Sequence, residues 1–371
     1  MNSGRYNRQI ILRNFGEEAQ TRLLNSKILV AGAGGLGCPA LMYLAAAGAG
    51  TICIADFDKV DLTNIQRQVL YKESDCGQPK AETAARNLKL INSEIDIEVF
   101  SGKISNDNAI ELFSRFDVVI DCTDNFASRY LINDACCIVD KPLIYGAVLG
   151  FEGQAGVFNL DDCNEGIKTN YRDLFPLPPE PGSVFSCNDT GVLGVVPGVI
   201  GTMQAAEAIK IVTKSGKPLA NKIVSYNAFY GSFYEFRVTP FPDKAGMPAN
   251  KDEFMSFDYS GFCALPDSDV KEIGVEEFVA AAKSGDCEFI DVREEHEPAD
   301  MAEFGTVRIP MSSFIERAAS VISGKKIVIF CEAGERSKTA VNILQSNNDG
   351  IEAYSLKGGA KALRKYLQTQ K

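Results

Sequence analysis

Short apolar runs alternate with longer amphipathic stretches along most of this chain. Apolar runs of strand length, each followed by residues with helical periodicity, are typical of parallel strands covered by helices. The pattern therefore predicts an α/β fold, in which the first sheet is Rossmann-like, mostly parallel and covered by helices on both faces. Its predicted strands are 27–31, 51–56, 95–100, 116–121, 142–146, 153–159 and 222–226, and its predicted helices are 37–48, 79–91, 106–114, 126–139 and 201–213.

The alternation is interrupted over residues 238–268, which are rich in Pro, Asp, Lys and Ser, and it resumes at Val270. A break of this composition between two periodic regions is typical of an interdomain linker. We therefore predict a larger domain over 1–240, a linker over 241–268 and a smaller α/β domain over 269–371. The smaller domain is predicted to contain strands at 287–291, 326–330 and 351–355 and helices at 275–283, 312–321, 336–346 and 358–368.

The composition narrows the possible functions. The 49 acidic residues exceed the 38 basic ones, and this net charge of −11 argues against a protein that binds nucleic acid or a membrane surface. No apolar run predicts a membrane span or a signal peptide. The 11 cysteines are irregularly spaced without a CxxC pair, which indicates a reducing compartment, the cytoplasm. The single histidine, His296, lies in a charged segment, so we expect the chemistry to rest on Cys, Asp, Glu, Lys and Arg.

A glycine-rich turn follows the first predicted strand. Gly32, Gly34 and Gly37 have the G-x-G-x-x-G spacing, in which backbone amides and a helix N-terminus bind phosphate, and Gly35 lies within the same turn. Asp56 ends the next strand, at the place where an acidic residue binds ribose hydroxyls. The motif alone fits an NAD-dependent oxidoreductase as well as an ATP-binding enzyme.

Three charged residues at successive strand ends favour ATP over NAD. Arg67 follows the Asp56 strand, Lys80 begins a helix, and Asp124 follows the strand 116–121. A triphosphate that is about to be cleaved needs cations on its oxygens and a carboxylate that holds Mg²⁺. We therefore predict that Arg67 and Lys80 bind phosphate and that Asp124 binds Mg²⁺, although each residue taken alone fits an ordinary surface salt bridge.

With these motifs in place, residues 5–237 resemble the MoeB/ThiF/HesA family, bacterial relatives of ubiquitin-activating enzymes. The resemblance rests on Arg5-Tyr-Asn-Arg8-Gln-Ile-Ile-Leu12, Gly32-Ala-Gly-Gly-Leu-Gly37, Asn64-Ile-Gln-Arg67-Gln68, Gly77-Gln-Pro-Lys80, Asp121-Cys-Thr-Asp124-Asn125 and Gly198-Val-Ile-Gly201. It implies ATP-dependent adenylation of the C-terminal glycine of a ubiquitin-like sulfur carrier that ends in Gly-Gly. It also implies nucleotide contacts by Asn64, Gln68 and Asn125, and a homodimer in which Arg8 reaches the nucleotide of the other subunit.

The sequence departs from this family at a metal site. Close relatives bind a structural zinc ion through one CxxC pair in the middle of the domain and another near its end. This chain has Asn170-Tyr-Arg-Asp173 at the first place and only Cys263 near the second. We therefore predict that the structural zinc is absent.

Two cysteines are candidates for covalent chemistry. Cys187 lies in a polar segment after a Pro-rich stretch, where it fits a spectator thiol. The family resemblance implies instead a mobile loop whose cysteine takes the activated acyl group or forms a disulfide-type intermediate. Cys331 follows a predicted strand and precedes a helix, so loop amides and the helix N-terminus stabilise a thiolate or persulfide there.

Residues 270–371 resemble a single rhodanese domain. The resemblance rests on Asp291-Val-Arg293, Glu297 and the run Cys331-x-x-Gly334-x-Arg336-Ser337. It implies a persulfide loop formed by Cys331, Gly334 and Arg336, while Asp291 and Arg293 form a structural pair. A phosphatase loop has five residues between Cys and Arg; here four intervene, and the shorter loop suits a sulfur atom better than a phosphate. The usual His-Ile-Pro-Gly stretch is replaced by Phe304–Pro310.

The loop around Cys331 also carries acidic residues. Glu332 and Glu335 are expected to repel thiosulfate and to offset part of the thiolate stabilisation. The sulfur is therefore expected to come from a protein persulfide, such as that of a cysteine desulfurase.

The sequence as a whole predicts a two-step enzyme: an adenylyltransferase whose carrier product receives sulfur from Cys331 and leaves as a thiocarboxylate. Two alternatives remain, a silent rhodanese-like docking domain beside an active adenylyltransferase, and an NAD-dependent oxidoreductase. Thiamine, molybdopterin, thiolated tRNA and cysteine synthesis all use such carriers, so the pathway stays open.

Overall fold

The computed structural model describes residues 3–161, 166–179, 191–242, 246–263, 270–295, 297–317, 326–346 and 351–369. These residues form two compact units. The first contains the described residues up to Pro178 and from 191 to Cys263, and the second contains the described residues from 270 onward.

The first unit is built on one twisted sheet with eight strands among its described residues. In spatial order they are β3 (Asp96–Phe100), β2 (Thr51–Ala55), β1 (Lys27–Ala31), β4 (Val118–Asp121), β5 (Leu143–Leu149), β6 (Glu152–Phe158), β7 (Lys222–Asn227) and β8 (Ser232–Arg237). The first five strands in this order pair in parallel, and β6, β7 and β8 continue the sheet in antiparallel pairing. The order 3-2-1-4-5 is that of a Rossmann-like sheet, so the predicted fold class is confirmed.

Helices cover both faces of this sheet. They are α1 (Ser3–Ile10), α2 (Gly16–Leu24), α3 (Gly37–Ala47), α4 (Lys80–Ile91), α5 (Asn106–Ser114), α6 (Phe126–Ile138), α7 (Tyr171–Leu174), α8 (Val195–Thr213), α9 (Lys251–Ser256) and α10 (Tyr259–Cys263).

Alternate residues of β1 enter different cores because successive side chains of a strand point to opposite faces. Ile28 and Val30 pack in one core with apolar residues of α3, α4 and α8. Leu29 and Ala31 pack in the other core with residues of α5 and α6. The strand is therefore buried on both faces, which explains its nearly continuous apolar sequence.

Helix α8 is long and apolar enough to cross a membrane by length and composition alone. Its Val196, Ile200 and Ala208 are fully buried within the described part of the first unit. Such burial is typical of a core helix, as the sequence predicted for residues 201–213, although the helix begins six residues earlier, at Val195.

Part of the predicted linker is not a linker. Residues within 241–268 form α9 and α10, and the side chains of Phe254 and Tyr259 are buried in the core of the first unit. The sequence did not indicate these helices for two reasons. Each is only five or six residues long, which is too short to show a helical periodicity, and the segment is rich in Pro and Asp. The sequence also missed α1, α2 and β8.

The second unit contains a five-stranded parallel sheet among its described residues. The spatial order is β11 (Val307–Arg308), β10 (Cys287–Asp291), β12 (Lys326–Phe330), β13 (Ala353–Leu356) and β9 (Lys271–Ile273). Its helices are α11 (Val275–Ser284), α12 (Met311–Arg317), α13 (Glu335–Ser346) and α14 (Gly359–Thr369). Phe278, Phe289 and Phe330 pack edge to face in its core. The predicted smaller α/β domain is therefore present, with β9 and β11 as strands that the sequence did not indicate.

Candidate nucleotide cleft and cysteine loop

An open cleft lies at the carboxyl ends of the parallel strands of the first unit. Ligands of open α/β sheets bind at this edge. The residues that line it include nine predicted from the sequence: Gly32, Gly34, Gly35, Asp56, Arg67, Gln68, Lys80, Asp124 and Asn125. The structure therefore brings Arg67, Lys80 and Asp124 to one cleft.

The glycine turn between β1 and α3 leaves no room for side chains. Gly32 has φ +100°, and a Cβ atom there would lie 2.7 Å from the carbonyl oxygen of Cys122. A Cβ atom on Gly37 would lie 2.0 Å from the carbonyl oxygen of Gly32. These two glycines allow the chain to turn sharply into α3, so that the turn and the helix N-terminus face the cleft.

Asp56 joins the glycine turn to the end of β2. Its Oδ2 accepts a hydrogen bond from the Ala33 amide at 2.7 Å, and its Oδ1 accepts one from the Asp58 amide at 2.8 Å. Tyr71 supports the same turn because its hydroxyl donates to the Ala33 carbonyl at 2.8 Å. Each carboxylate oxygen keeps a second lone pair, so Asp56 is fixed in place and can still accept from ribose hydroxyls.

The two predicted phosphate-binding cations are held differently. Lys80 is buried at the start of α4, and its Nζ lies 3.1 Å from Oδ2 of Asp58. Arg67 is half-buried, and its Nη1 donates to the Thr63 carbonyl at 3.2 Å. Both side chains line the cleft, so two cationic groups are present where the sequence predicted a phosphate site.

Gln68 carries a polar atom that the protein does not satisfy. Its side chain is buried, and its Oε1 has no hydrogen-bond partner among the described residues. A buried acceptor without a partner is costly, and here it lies in the lining of the cleft. The atom is therefore placed to accept a hydrogen bond from a bound ligand.

The side chain of Asp124 is exposed in the loop after β4, and hydrogen bonds of the neighbouring residues fix the conformation of this loop. Asp121 is buried and accepts hydrogen bonds from the amide and hydroxyl of Thr123. Burial raises the pKa of Asp121, and the positive charge of Arg129 lowers it in part. Asn125 caps α6 by accepting from the Ser128 amide at 2.9 Å. Asp124 itself is exposed and lines the cleft, which suits a carboxylate that binds a hydrated Mg²⁺ ion.

Three predicted nucleotide-binding residues do not line the cleft. Gly37 lies inside the first turn of α3. Asn64 acts through its backbone, since its carbonyl accepts from the amides of Arg67 and Gln68. Arg8 is exposed on α1.

The sequence analysis missed three charged residues of the cleft, Asp58, Lys103 and Arg129. Asp58 forms an ion pair with Lys80. Its position two residues after Asp56 is the sequence feature that could have indicated it as a cleft residue. Arg129 donates from Nη2 to the Thr123 carbonyl at 3.2 Å, and its buried Nε has no partner among the described residues. The position of Arg129 in the first turn of α6, directly after the loop that contains Asp124, is the sequence feature that could have indicated it as a cleft residue.

In the second unit, Cys331 lies between β12 and α13. Its side chain is only 1% exposed, and its Sγ accepts a hydrogen bond from the Gly334 amide at 3.1 Å. The hydroxyl of Ser337 lies 3.7 Å from the same sulfur. The first amides of α14 hold the loop from the other side, because Ala360 donates to the carbonyl of Cys331.

The charged residues of this loop are paired within the protein. Arg336 donates to both oxygens of Glu297 at 2.6 and 2.8 Å, and these hydrogen bonds hold the pKa of Glu297 below its usual value. The resemblance implied that Arg336 forms part of the persulfide loop, and the structure shows that its guanidinium pairs with Glu297.

The carboxylate of Glu332 is paired as well. It forms ion pairs with Arg293 at 3.6 Å and with Arg364. Its predicted repulsion of thiosulfate is therefore offset by two guanidinium groups. The side chain of Glu335 lies outside the part that the structure describes.

Asp291 and Arg293 form the predicted pair beneath the loop. Nε and Nη2 of Arg293 contact the Asp291 carboxylate at 2.9 and 2.8 Å, and both side chains are buried. Cys187 and His296 lie outside the described residues.

Comparisons with known proteins show the family to which this chain belongs. Residues 6–246 match the sequence profile of the ThiF family. The chain belongs to the ThiF family. It is 36% identical to "Probable adenylyltransferase/sulfurtransferase MoeZ" of Mycobacterium tuberculosis, over 98% of this chain and 93% of that protein. It is also 41% identical to "Sulfur carrier protein adenylyltransferase" of Thermus thermophilus, over 70% of this chain and 96% of that protein.

A relative from an animal extends the ThiF-family match to the second unit. "Adenylyltransferase and sulfurtransferase MOCS3" of Caenorhabditis briggsae is 35% identical over 96% of this chain and 93% of that protein. Relatives that carry the name sulfurtransferase thus span both units, which is consistent with the predicted rhodanese-like fusion. The predicted family membership is confirmed.

Solved structures show the fold of the first unit. The structure "Crystal structure of E. coli MccB + MccA-N7isoASN" superposes with a TM-score of 0.55 at 22% identity, over 65% of this chain and 73% of that chain. The structure "Crystal Structure of SeMet PaaA" gives 0.55 at 23% identity, over 64% and 74%. At this identity the likeness concerns the fold alone.

Proposed function

We propose that this protein uses ATP to adenylate the C-terminal glycine of a ubiquitin-like sulfur carrier and then transfers sulfur to it. The observation that carries the proposal is the set of Arg67, Lys80 and Asp124 around one cleft beside a glycine turn. Similarity to adenylyltransferase/sulfurtransferases over 98% of the chain supports both steps.

In the first step, a carboxylate oxygen of the carrier's terminal glycine attacks the α-phosphorus of ATP. The P–O bond to pyrophosphate breaks, and the products are an acyl-adenylate and pyrophosphate. Little proton transfer is needed, so catalysis rests on positioning and on stabilisation of negative charge. Arg67, Lys80 and the amides of the glycine turn supply that stabilisation, while Asp56 orients the ribose.

Asp124 is the residue that we assign to Mg²⁺. The chemistry of the cleft fits a hydrated cation because Asp124 is an exposed carboxylate among phosphate-binding residues. A bound Mg²⁺ ion neutralises charge on the departing pyrophosphate. Asp121 is not suited to this role, since it is buried and bound to Thr123.

In the second step, a persulfide on Cys331 attacks the carbonyl carbon of the acyl-adenylate and AMP leaves. The product is an acyl disulfide between the carrier and Cys331. A second thiolate, for which we propose Cys187, then attacks the sulfur of Cys331. The carrier leaves as a thiocarboxylate, and the resulting disulfide between Cys331 and Cys187 is reduced by a cellular thiol.

We propose a protein persulfide, as formed by a cysteine desulfurase, as the sulfur donor. Thiosulfate binding needs a cation beside the cysteine. Arg336 is the residue of the loop suited to that role, and it is bound by Glu297 through two hydrogen bonds. We also propose a cytoplasmic location, because 11 irregularly spaced cysteines without a CxxC pair are typical of a reducing compartment.

Exposed aromatic residues near the cleft offer a contact surface for the carrier. Phe229 and Tyr230 form the turn between β7 and β8, and Phe151 packs on Phe229 at 5.5 Å between ring centroids. Phe151 lies in the turn after β5, three residues from Val148, which lines the cleft. Phe229→Ser is expected to raise the KM for the carrier and to leave the KM for ATP unchanged.

We further propose a homodimer in which Arg8 completes the cleft of the other subunit. A groove lined by Gln66, Val69, Val195 and Met203 leaves apolar side chains exposed on the first unit, among them Val69 and Val195. Arg8→Ala and Arg67→Ala proteins are each expected to be inactive. When they are mixed, half of the sites in each heterodimer are intact, so activity returns. No recovery on mixing, with dimers present, would contradict the assignment of Arg8.

ATP–pyrophosphate exchange tests the proposal. The protein is incubated with ATP, Mg²⁺, labelled pyrophosphate and, in turn, each Gly-Gly-ending carrier of its genome. Exchange that requires one carrier, and disappears when its last glycine is deleted, is the expected result. Nucleotide binding without exchange for any carrier would overturn it, and NADH binding in the same cleft would favour the oxidoreductase alternative.

A silent rhodanese-like domain is the second candidate function. The burial of Cys331 and the pairing of Arg336 favour it, because a working sulfur site must expose its cysteine. Cys331→Ala distinguishes the two: thiocarboxylate that still forms, with free sulfide excluded, would show that the loop is not used.

A further inference from the structure

Two segments of the first unit stand at the places where the family resemblance implies the CxxC pairs of a structural zinc site. Asn170 and Asp173 have the spacing of the first pair, and Ser260 and Cys263 have that of the second. These residues supply one thiol in place of four. The described residues contain no group of three or more Cys, His, Asp and Glu side chains able to hold a metal ion. The residues at this place therefore do not fit a structural zinc ion.

In the first segment, the side chains of Asn170 and Asp173 form hydrogen bonds with backbone amides at the N-terminus of α7. Oδ1 of Asn170 accepts from the Arg172 amide at 2.9 Å, and Oδ2 of Asp173 accepts from the Asn170 amide at 2.7 Å. The other oxygen of Asp173 accepts from the Phe241 amide at 2.7 Å. Both residues cap α7 and are therefore not available as metal ligands.

Arg172, between these two residues, joins three elements. Its side chain is fully buried, and its Nε and Nη2 donate to Oδ1 and Oδ2 of Asp134 in α6 at 2.9 and 2.7 Å. The hydroxyl of Tyr259 in α10 donates to Oδ2 of the same carboxylate at 2.9 Å. Asn133 donates to Oδ1 at 3.0 Å, so the buried carboxylate is bound from several sides.

Aromatic rings enclose the guanidinium group. Its central carbon lies 4.8 Å from the ring centroid of Phe262, 5.0 Å from that of Tyr130 and 5.5 Å from that of Phe257. Cation–π attraction is strongest where the cation is shielded from water, as it is here. Phe262 lies between Ser260 and Cys263, so Arg172 contacts the second segment directly.

We propose that the Arg172–Asp134–Tyr259 cluster replaces the structural zinc of related enzymes and makes the first unit independent of that metal. It connects the same two segments that the CxxC pairs would connect. A fully buried guanidinium at this place also repels a divalent cation, so the first unit can contain either the Arg172 cluster or a structural zinc ion here, but not both. The cluster fixes α10, which ends at Cys263, where the first unit ends.

Chelation tests the proposal on the intact protein. The protein is treated with a zinc-selective chelator in the presence of Mg²⁺, and its melting temperature and its zinc content are measured. The expected result is an unchanged melting temperature and zinc far below one ion per chain. One tightly held zinc ion, whose removal lowers the melting temperature, would overturn the proposal.

Substitutions test whether the cluster carries the stability that a metal would supply. Asp134→Asn and Arg172→Met each leave a buried group without its partner, and each is expected to lower the melting temperature by roughly 10 °C. The double variant Arg172→Met/Asp134→Leu is expected to lose much less than the sum. Lys168→Met is the matched control, because it removes an exposed ion pair with Asp140.

A milder variant keeps the test decisive if the others do not fold. Tyr259→Phe removes one hydrogen bond to Asp134 and retains the ring, so it is expected to lower the melting temperature by about 3 °C. A melting temperature equal to that of Lys168→Met would contradict the proposal. None of these readouts depends on the carrier, so the result is separate from that of the proposed function.

Discussion

The nucleotide cleft of the first unit and the cysteine loop of the second unit differ in how far the protein satisfies their polar groups. The cleft keeps a buried acceptor without a partner, Oε1 of Gln68, and an exposed carboxylate, Asp124. In the loop, the sulfur of Cys331 accepts from Gly334, and Arg336 and Glu332 are bound by opposite charges.

This difference is what we expect between a site for a small ligand and the site for a protein persulfide that we propose. A nucleotide enters an open cleft and satisfies groups that are already aimed at it. The residue Cys331 is 1% exposed, so a donor or acceptor must displace part of the loop to reach its sulfur. The binding free energy of a protein partner is a suitable source for that displacement.

The largest effect is expected for Arg67→Ala. The variant loses a cation that faces the phosphates, so the rate of ATP–pyrophosphate exchange should fall by about 10²–10³-fold. The melting temperature should stay unchanged, because Arg67 is half-buried and its guanidinium hydrogen-bonds to the carbonyl of Thr63, one helical turn earlier in the chain. Arg86→Ala is the control: its ion pair with Asp75 lies outside the cleft lining. Equal exchange rates for both variants would remove Arg67 from the site.

Asp124→Asn should weaken the metal dependence of the same reaction. We expect exchange to fall by about 10²-fold at low Mg²⁺ and to recover partly as Mg²⁺ is raised, because an amide oxygen binds the cation more weakly. Asp107→Asn changes an exposed carboxylate in the first turn of α5 and serves as the control. A magnesium titration identical to that of the unsubstituted protein would assign Mg²⁺ to other residues.

Glu297→Gln should leave a charged group of the cysteine loop without its charged partner, as in the nucleotide cleft. The substitution releases Arg336 from its carboxylate, so we expect thiosulfate turnover to rise about tenfold, the equivalent of about 1.4 kcal/mol. ATP–pyrophosphate exchange should not change. If thiosulfate turnover is already efficient at low thiosulfate in the unsubstituted protein, the proposed preference for a protein persulfide is wrong.

The smallest effect concerns pH. The hydrogen bonds from Arg336 lower the pKa of Glu297 below its usual value of 4.5. A carboxyl group whose pKa is lowered by folding stabilises the folded state above its unfolded pKa and loses this contribution as pH falls through the folded one. The unsubstituted protein should therefore exceed Glu297→Gln in stability by about 1 kcal/mol at neutral pH, and the gap should close in acid.

Thermal melts of both proteins across this pH range provide the measurement. Glu303→Gln, which alters an exposed carboxylate of the same unit, should show no such gap. A gap that persists undiminished well below pH 4.5 would show that the Glu297–Arg336 pair is not its source.

Residues at strand ends were predictable from the sequence. Parallel strands end at one edge, so Gly32, Asp56 and Asp124 had to meet once the strands were recognised, and β1 was predicted without error. Arg67 and Lys80 follow β2, and their charge indicated a phosphate ligand.

Pairings between distant residues were not predictable. Glu297 and Arg336 are 39 residues apart, and nothing local to either indicates the other. The same applies to Arg172 and Asp134, which are 38 residues apart in different helices. Short helices such as α9 and α10 were not predicted because they have too few residues to show a periodicity. The burial of their own side chains Phe254 and Tyr259 in the core fixes their position.

The central claim is that one chain both activates the carrier and delivers sulfur to it. The most direct test is the mass of the carrier after incubation with the protein, ATP, Mg²⁺ and a desulfurase persulfide. We predict that one oxygen of its terminal glycine is replaced by sulfur, that Cys331→Ser yields only the adenylate, and that Arg67→Ala yields neither. A carrier that gains sulfur equally well with Cys331→Ser, or that never gains AMP with the unsubstituted protein, would contradict this account.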